Sequence, residues 1–140
     1  IFSISTVKNS IGTVKVFSTV LNNKVFGVAG LTSKDAKNEN MNIIIGKSKG
    51  FDKHPNKLPN TSEVELHLIV MKNSGVIIGA EIAGGVSVGE MINTISVAIQ
   101  ARLSIYDLFT YQLGTQPLLT SGPTVIPIMK SIENVIEQLN

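Results

Sequence analysis

Between Glu63 and Val70 apolar and polar positions alternate, with Val64, Leu66, Leu68 and Val70 on one side and Glu63, Glu65 and His67 on the other. A period of two is the repeat of an extended chain, so this stretch reads as a half-buried strand. Asn73-Ser74-Gly75 supplies turn formers and residues 76–83 return as a partner, which makes 63–83 a hairpin. After Ser87 the period lengthens. Val88, Met91, Ile92, Ile95, Ala98 and Ile99 recur at helical spacing and predict a helix over 88–102. Ile128, Met129, Ile132, Val135, Ile136 and Leu139 stripe another that runs to the C-terminus.

Upstream, β-branched and aromatic residues between turn formers predict strands at 2–6, 13–20, 25–29 and 42–49, with Asn22-Asn23 as a hairpin turn. Residues 51–62, carrying Pro55 and Pro59, form the longest loop. At the starts of expected helices a Ser or Thr stands three positions before an acid: Thr32 before Asp35, Ser87 before Glu90, Ser104 before Asp107. Each reads as a helix-starting capping box, the first opening a short helix over 33–40 and the last another short helix. Strands come first and helices last. That segregation predicts an α+β fold, an antiparallel sheet of about five strands with helices packed on one face.

Composition narrows the function. At 140 residues with 43% hydrophobic content, one domain buries roughly 68% of its unfolded surface. The net charge is only +2, with lysines spread along the chain, so no nucleic-acid partner is expected. No apolar run approaches the ~20 residues that span a bilayer, so no membrane partner is expected either, and a cytoplasmic location is. There is no cysteine, hence no disulfide or redox pair within the chain. The chain opens at Ile1 without a charged, then apolar, leader and reads as a piece excised from a longer protein.

Several apparent sites lose their chemistry on inspection. Gly85-Val86-Ser87-Val88-Gly89 matches a nucleophile elbow where strand meets helix, but that fold needs its histidine after the serine and the last histidine is His67. The same stretch has valine where a dinucleotide turn needs glycine at 86. Gly46-Lys47-Ser48 ends like a phosphate loop, yet Met41 stands at the required first glycine. Two histidines, His54 and His67, without cysteine make no metal site. Glu63, Glu65 and His67 share a strand face, either an acid–base cluster or, more commonly, a solvated surface.

Five blocks in order carry a resemblance. They are Gly12-Thr13-Val14-Lys15-Val16-Phe17, the stretch Gly30-Leu31-Thr32-Ser33-Lys34-Asp35-Ala36, residues 74–84, Glu90-Met91-Ile92-Asn93, and Leu103-Ser104-Ile105-Tyr106-Asp107-Leu108. Together they resemble the C-terminal dimerisation domain of the FAD-dependent pyridine nucleotide-disulfide oxidoreductases, over residues 12–139. The resemblance implies a homodimer, and a loop lent to the partner subunit's flavin site. It implies a parent enzyme that uses FAD and NAD(P)H, while this piece alone binds no cofactor and completes no active site.

In disulfide reductases of that family the lent loop carries His-Pro, with a glutamate five residues after the histidine. The matching segment here is 115–121, where Gln116 takes the histidine position and Ser121 the glutamate position. Glutamine does not titrate, so the segment looks closer to the NADH oxidase or coenzyme A-disulfide reductase branch. Gln116, Pro117 and Tyr111 are then expected near the partner's flavin, and Met91, Ile95, Ile128 and Ile132 in the dimer interface. Two rivals remain at this point: a free-standing α+β module for an anionic partner, and a hydrolase at Ser87.

Overall fold

The computed structural model describes residues 12–140, so the strand expected at 2–6 lies outside the described residues. Strand β1 (Val16–Leu21) meets β2 (Lys24–Gly30) through a two-residue turn. Asn22 and Asn23 hold φ of 48° and 62°. A turn of this hand needs positive φ at both positions, and asparagine tolerates it better than most residues.

Helix α1 (Ser33–Asn38) follows, then β3 (Ile43–Phe51), β4 (Glu63–Met71) and β5 (Ile77–Gly84). The sheet order is β1-β2-β5-β4-β3, antiparallel throughout. The expected 63–83 hairpin pairs Leu66 with Ile82 and Leu68 with Ala80. The five-stranded α+β architecture is therefore the one the pattern predicts.

Two long helices, α2 (Val88–Gln100) and α4 (Pro127–Leu139), cover one face of the sheet, joined by the short α3 (Ile105–Phe109) and a loop. Val25, Ala29, Val64, Leu66, Leu68, Ala80 and Ile82 bury that face. Against them stand Val88, Ile92, Ile95 and Ala98 of α2, and Ile128, Ile132 and Val135 of α4. Full burial of each branched side chain contributes about 1.5–3 kcal/mol. On the opposite face Ser33 N–H of α1 donates to Glu81 Oε2 at 3.3 Å, so this short helix lies away from α2 and α4.

The backbone of α4 passes over β3 at Gly46, where a Cβ would overlap the Ser131 carbonyl. The helix also reaches the outer edge of β3. Asn134 Oδ1 accepts from Lys47 N–H at 2.9 Å, and Gln138 Nε2 donates to Ile45 C=O at 3.0 Å. Peptide groups at a sheet edge are otherwise open to any passing strand.

Candidate functional site

The loop between α3 and α4 begins after Thr110 and contains a tight turn built by Gln116. The Gln116 carbonyl accepts from Leu119 N–H at 2.9 Å and from Thr120 N–H at 2.8 Å. Its side-chain oxygen accepts from Leu118 N–H at 2.7 Å, and its own N–H donates to Thr120 Oγ1 at 3.0 Å. Gln116 thus caps the turn, and Pro117 sits first inside it, where a missing N–H costs nothing. The carboxamide nitrogen of Gln116 has no hydrogen-bond partner among the described residues.

Ser121 ends the turn. It is buried, and its hydroxyl donates to the Phe51 carbonyl at the end of β3. That bond staples the 110–126 loop to the 51–62 loop. Next along the chain is Asp52, a carboxylate only 2% exposed. Its Oδ1 accepts from Ser62 N–H at 2.8 Å and its Oδ2 from Ser87 Oγ at 2.9 Å. One buried acid therefore closes the long loop on itself and ties it to the start of α2. Gly85 belongs to the same junction, because a Cβ there would overlap the Ser62 side chain.

Two hollows flank the stapled loops. The larger, about 390 Å³, is mostly apolar and is lined by Asp52, Ser87, Met91, Tyr111, Leu119 and Ile126 among others. Burial pushes the Tyr111 phenol above its ordinary range near 10, so it stands there as a neutral hydroxyl. The smaller, about 140 Å³, is lined by His54, Thr115, Gln116, Pro117, Thr120, Ser121 and Gly122. Gln116, Pro117 and Tyr111 thus fall on neighbouring hollows that share Thr120 and Ser121.

Other expected site residues are placed differently. Ile95, Ile128 and Ile132 face the sheet in the hydrophobic core, and a side chain with almost no exposed surface has none to give a partner. Met91 alone of the four expected interface residues is partly exposed. Ser87 forms no cap, since its backbone is already helical at φ −62° and ψ −20°. Its hydroxyl donates to Asp52 and no histidine lines its hollow, so the hydrolase constellation is not assembled. Asp52 escaped sequence reasoning because an acid at a loop's edge ordinarily signals solvent; a serine ten positions on, at the loop's far end, was the only hint.

On the open sheet face His67 Nε2 lies 3.4 Å from Glu65 Oε1, opposite Glu81 on β5, while Glu63 pairs with Lys49 at 3.2 Å. These are half-exposed contacts of a strand surface, away from both hollows. Among the described residues no group of three or more His, Cys, Asp or Glu is placed to hold a metal ion, and no helix is long and apolar enough to cross a membrane.

Comparison with known proteins places this geometry. The chain is 32% identical over 140 positions to an NADH oxidase of Methanocaldococcus jannaschii, covering 95% of this chain and 30% of that protein. Its fold is similar to that of an NAD-dependent persulfide reductase from A. fulgidus, with TM-score 0.82 and 23% identity over 91% of this chain and 23% of that one. A water-forming NADH oxidase from Lactobacillus brevis gives TM-score 0.79 and 22% identity over 89% of this chain and 28% of that one. The chain therefore spans less than a third of these relatives. Residues 16–125 match the dimerisation domain of the pyridine nucleotide-disulphide oxidoreductases, and the chain belongs to that family.

Proposed function

We propose that this chain is the dimerisation domain of an NADH oxidase-like, FAD- and NAD(P)H-dependent oxidoreductase of the cytoplasm, and that it lends its 110–126 loop to the flavin site of the partner subunit. The observation that carries the reading is the Gln116 turn: a self-capped turn that leaves an amide donor free and an apolar flank, Leu118 and Leu119, exposed. Such a turn holds a donor in place at low entropic cost. The residues fit a contribution to a flavin and not its capture. Gly85, three residues before α2, is packed against Ser62, which keeps a phosphate from approaching the backbone there.

When bound, FAD would carry electron pairs between the nicotinamide and an acceptor. This chain's share is to orient and to exclude water. Gln116 would offer its carboxamide N–H groups to ring carbonyls, Tyr111 would offer a neutral hydroxyl, and Leu118 and Leu119 would supply an apolar cover. Self-association would use Met91 with the exposed Val97, Tyr106, Leu118 and Leu119, while the buried isoleucines hold α2 and α4 in register beneath them.

The test uses the parent flavoenzyme. Val97→Glu with Leu119→Glu should shift it from dimer to monomer in sedimentation velocity, and Gln116→Ala should shift the visible absorption of its flavin. A dimer unmoved by the double variant, together with an unchanged flavin spectrum, would refute the proposal. The module for an anionic partner draws on one observation, a cleft of about 400 Å³ lined by Lys49, Lys53, His54 and Lys130. Those lysines are already held by Glu63, by the Pro59 and Asn60 carbonyls, and by Glu133. That reading requires salt-dependent association, which the dimer does not.

A further inference from the structure

Between Val88 and Met129 the sequence holds only three charged residues, Glu90, Arg102 and Asp107. Asp107 is spent at its own helix start, where it accepts from Ser104 N–H at 2.8 Å and from Ser104 Oγ at 2.7 Å. Glu90 and Arg102 are exposed, and neither side chain has a hydrogen-bond or ion-pair partner among the described residues. They cannot serve each other. Glu90 stands in the first turn of α2 and Arg102 just past its last turn, and a helix rising about 1.5 Å per residue sets them about 18 Å apart. One free anion and one free cation therefore mark opposite ends of the same helix.

Such a pair is self-complementary under a two-fold axis, because two copies of α2 laid antiparallel bring the first turn of each to the last turn of the other. The helix has the surface for it. Glu90, Thr94, Val97 and Ala101 are all exposed, on the side turned away from the buried Val88, Ile92, Ile95 and Ala98. Their mean spacing of about 3.5 residues is that of a helix-pairing seam, and Thr94, Val97 and Ala101 are small enough for axes about 8–10 Å apart. We infer that two copies of this chain pair through α2 in antiparallel register, with Thr94 opposite Val97 of the partner subunit, and that Glu90 forms a salt bridge to Arg102 of the partner subunit, twice in each dimer.

This inference rests on the self-association reading above and gives it a register. Residues 16–125, which match a dimerisation domain, include the whole of α2. Glu90 and Thr94 also line the 390 Å³ hollow, together with Met91 and Leu119, and no lining residue there is a cation. An arginine suits that rim, its apolar stem lying along Met91 and Leu119 and its guanidinium reaching the carboxylate. A partner carrying one sign of charge would satisfy one end of α2 and repel the other; a second copy satisfies both. Sliding the helices by one turn would move each arginine about 5.4 Å from its glutamate, so the two bridges fix register more than they add affinity.

The test uses the parent flavoenzyme, with two differently tagged copies made in one cell and their dimers counted by native mass spectrometry. One copy carries Glu90→Arg and the other Arg102→Glu. Each homodimer then sets like charges together at both bridges, whereas the heterodimer sets an arginine against a glutamate at both. Heterodimers should exceed homodimers about a hundredfold, and Glu90→Arg/Arg102→Glu in a single chain should return an ordinary homodimer. Random assortment of the two copies would overturn the register, as would failure of both the heterodimer and the double variant to form. If Val97→Glu with Leu119→Glu still yields monomer in that event, the self-association reading stands without the bridges. If that pair leaves the dimer whole, the reading falls and takes this inference with it.

Discussion

Helices α1 and α3 start in one way and helix α2 in another, although all three carry a hydroxyl three residues before an acid. At α1, Asp35 N–H donates to Thr32 Oγ1 at 3.1 Å and Thr32 N–H returns to Asp35 Oδ2 at 3.4 Å. At α3, Asp107 N–H donates to Ser104 Oγ at 3.3 Å and Ser104 N–H returns to Asp107 Oδ2 at 2.8 Å. Both cap residues are extended, with ψ of 162° and 168°. Ser87 is preceded by Gly84-Gly85 and enters α2 already coiled, with Val88 N–H on the Gly85 carbonyl at 3.1 Å. Its hydroxyl is thereby released to an acceptor 35 residues away. A hydrogen bond to a carboxylate is worth about 1.5–3 kcal/mol, against about 1 for a neutral one. The lesson is that a capping pattern specifies a cap only where no buried charge bids for the same hydroxyl.

The strongest way to break this contrast is to remove the acceptor. Asp52→Ala leaves the Ser62 N–H and the Ser87 hydroxyl unpaired at a buried junction and should cost about 3 kcal/mol in urea unfolding; a loss below about 1 kcal/mol would mean that the junction is held by other contacts. Ser87→Ala should cost about 2 kcal/mol without fraying α2, whose first turn never used the side chain. Hydrogen exchange at residues 88–91 reads this directly, and faster exchange there would restore Ser87 as a cap. Thr32→Ala and Ser104→Ala should each cost about 1 kcal/mol and loosen only their own short helix.

The smallest effect is acid-dependent. Hydrogen bonds from Thr32 and from Ser104, side chain first and backbone second, hold the Asp35 and Asp107 carboxyls below their usual 3.8. Because the folded values are depressed, the stabilisation is present above 3.8 and is lost as pH falls through the lower, folded values. Far-ultraviolet circular dichroism should therefore show a slight loss of helix below pH 3.8. Thr32→Ala and Ser104→Ala should flatten that limb, and Ser87→Ala should not.

How much of this was legible depended on range. The 63–83 hairpin was plain because Val64, Leu66, Leu68 and Val70 write a period of two into eight residues, and the Thr32 and Ser104 caps involve partners only three positions apart. The start of α2 was misread for the opposite reason, since Asp52 and Ser87 are joined only by the fold. The same holds for Ile95, Ile128 and Ile132. Periodicity gave their helices but not which side would meet the sheet and which a partner. Of the candidate site, Gln116 and Pro117 were recognisable from the family's loop, whereas His54 lines their hollow only because Ser121 brings its strand end alongside.

The C-terminal helix also governs how copies of this protein can meet. With the Asn134 and Gln138 amides seated on the Lys47 N–H and the Ile45 carbonyl, a second molecule that pairs along the middle of β3 must first displace α4. Truncating α4 before Asn134 would convert that margin into an adhesive one, and the expected product is not a monomer but an insoluble, strand-swapped aggregate.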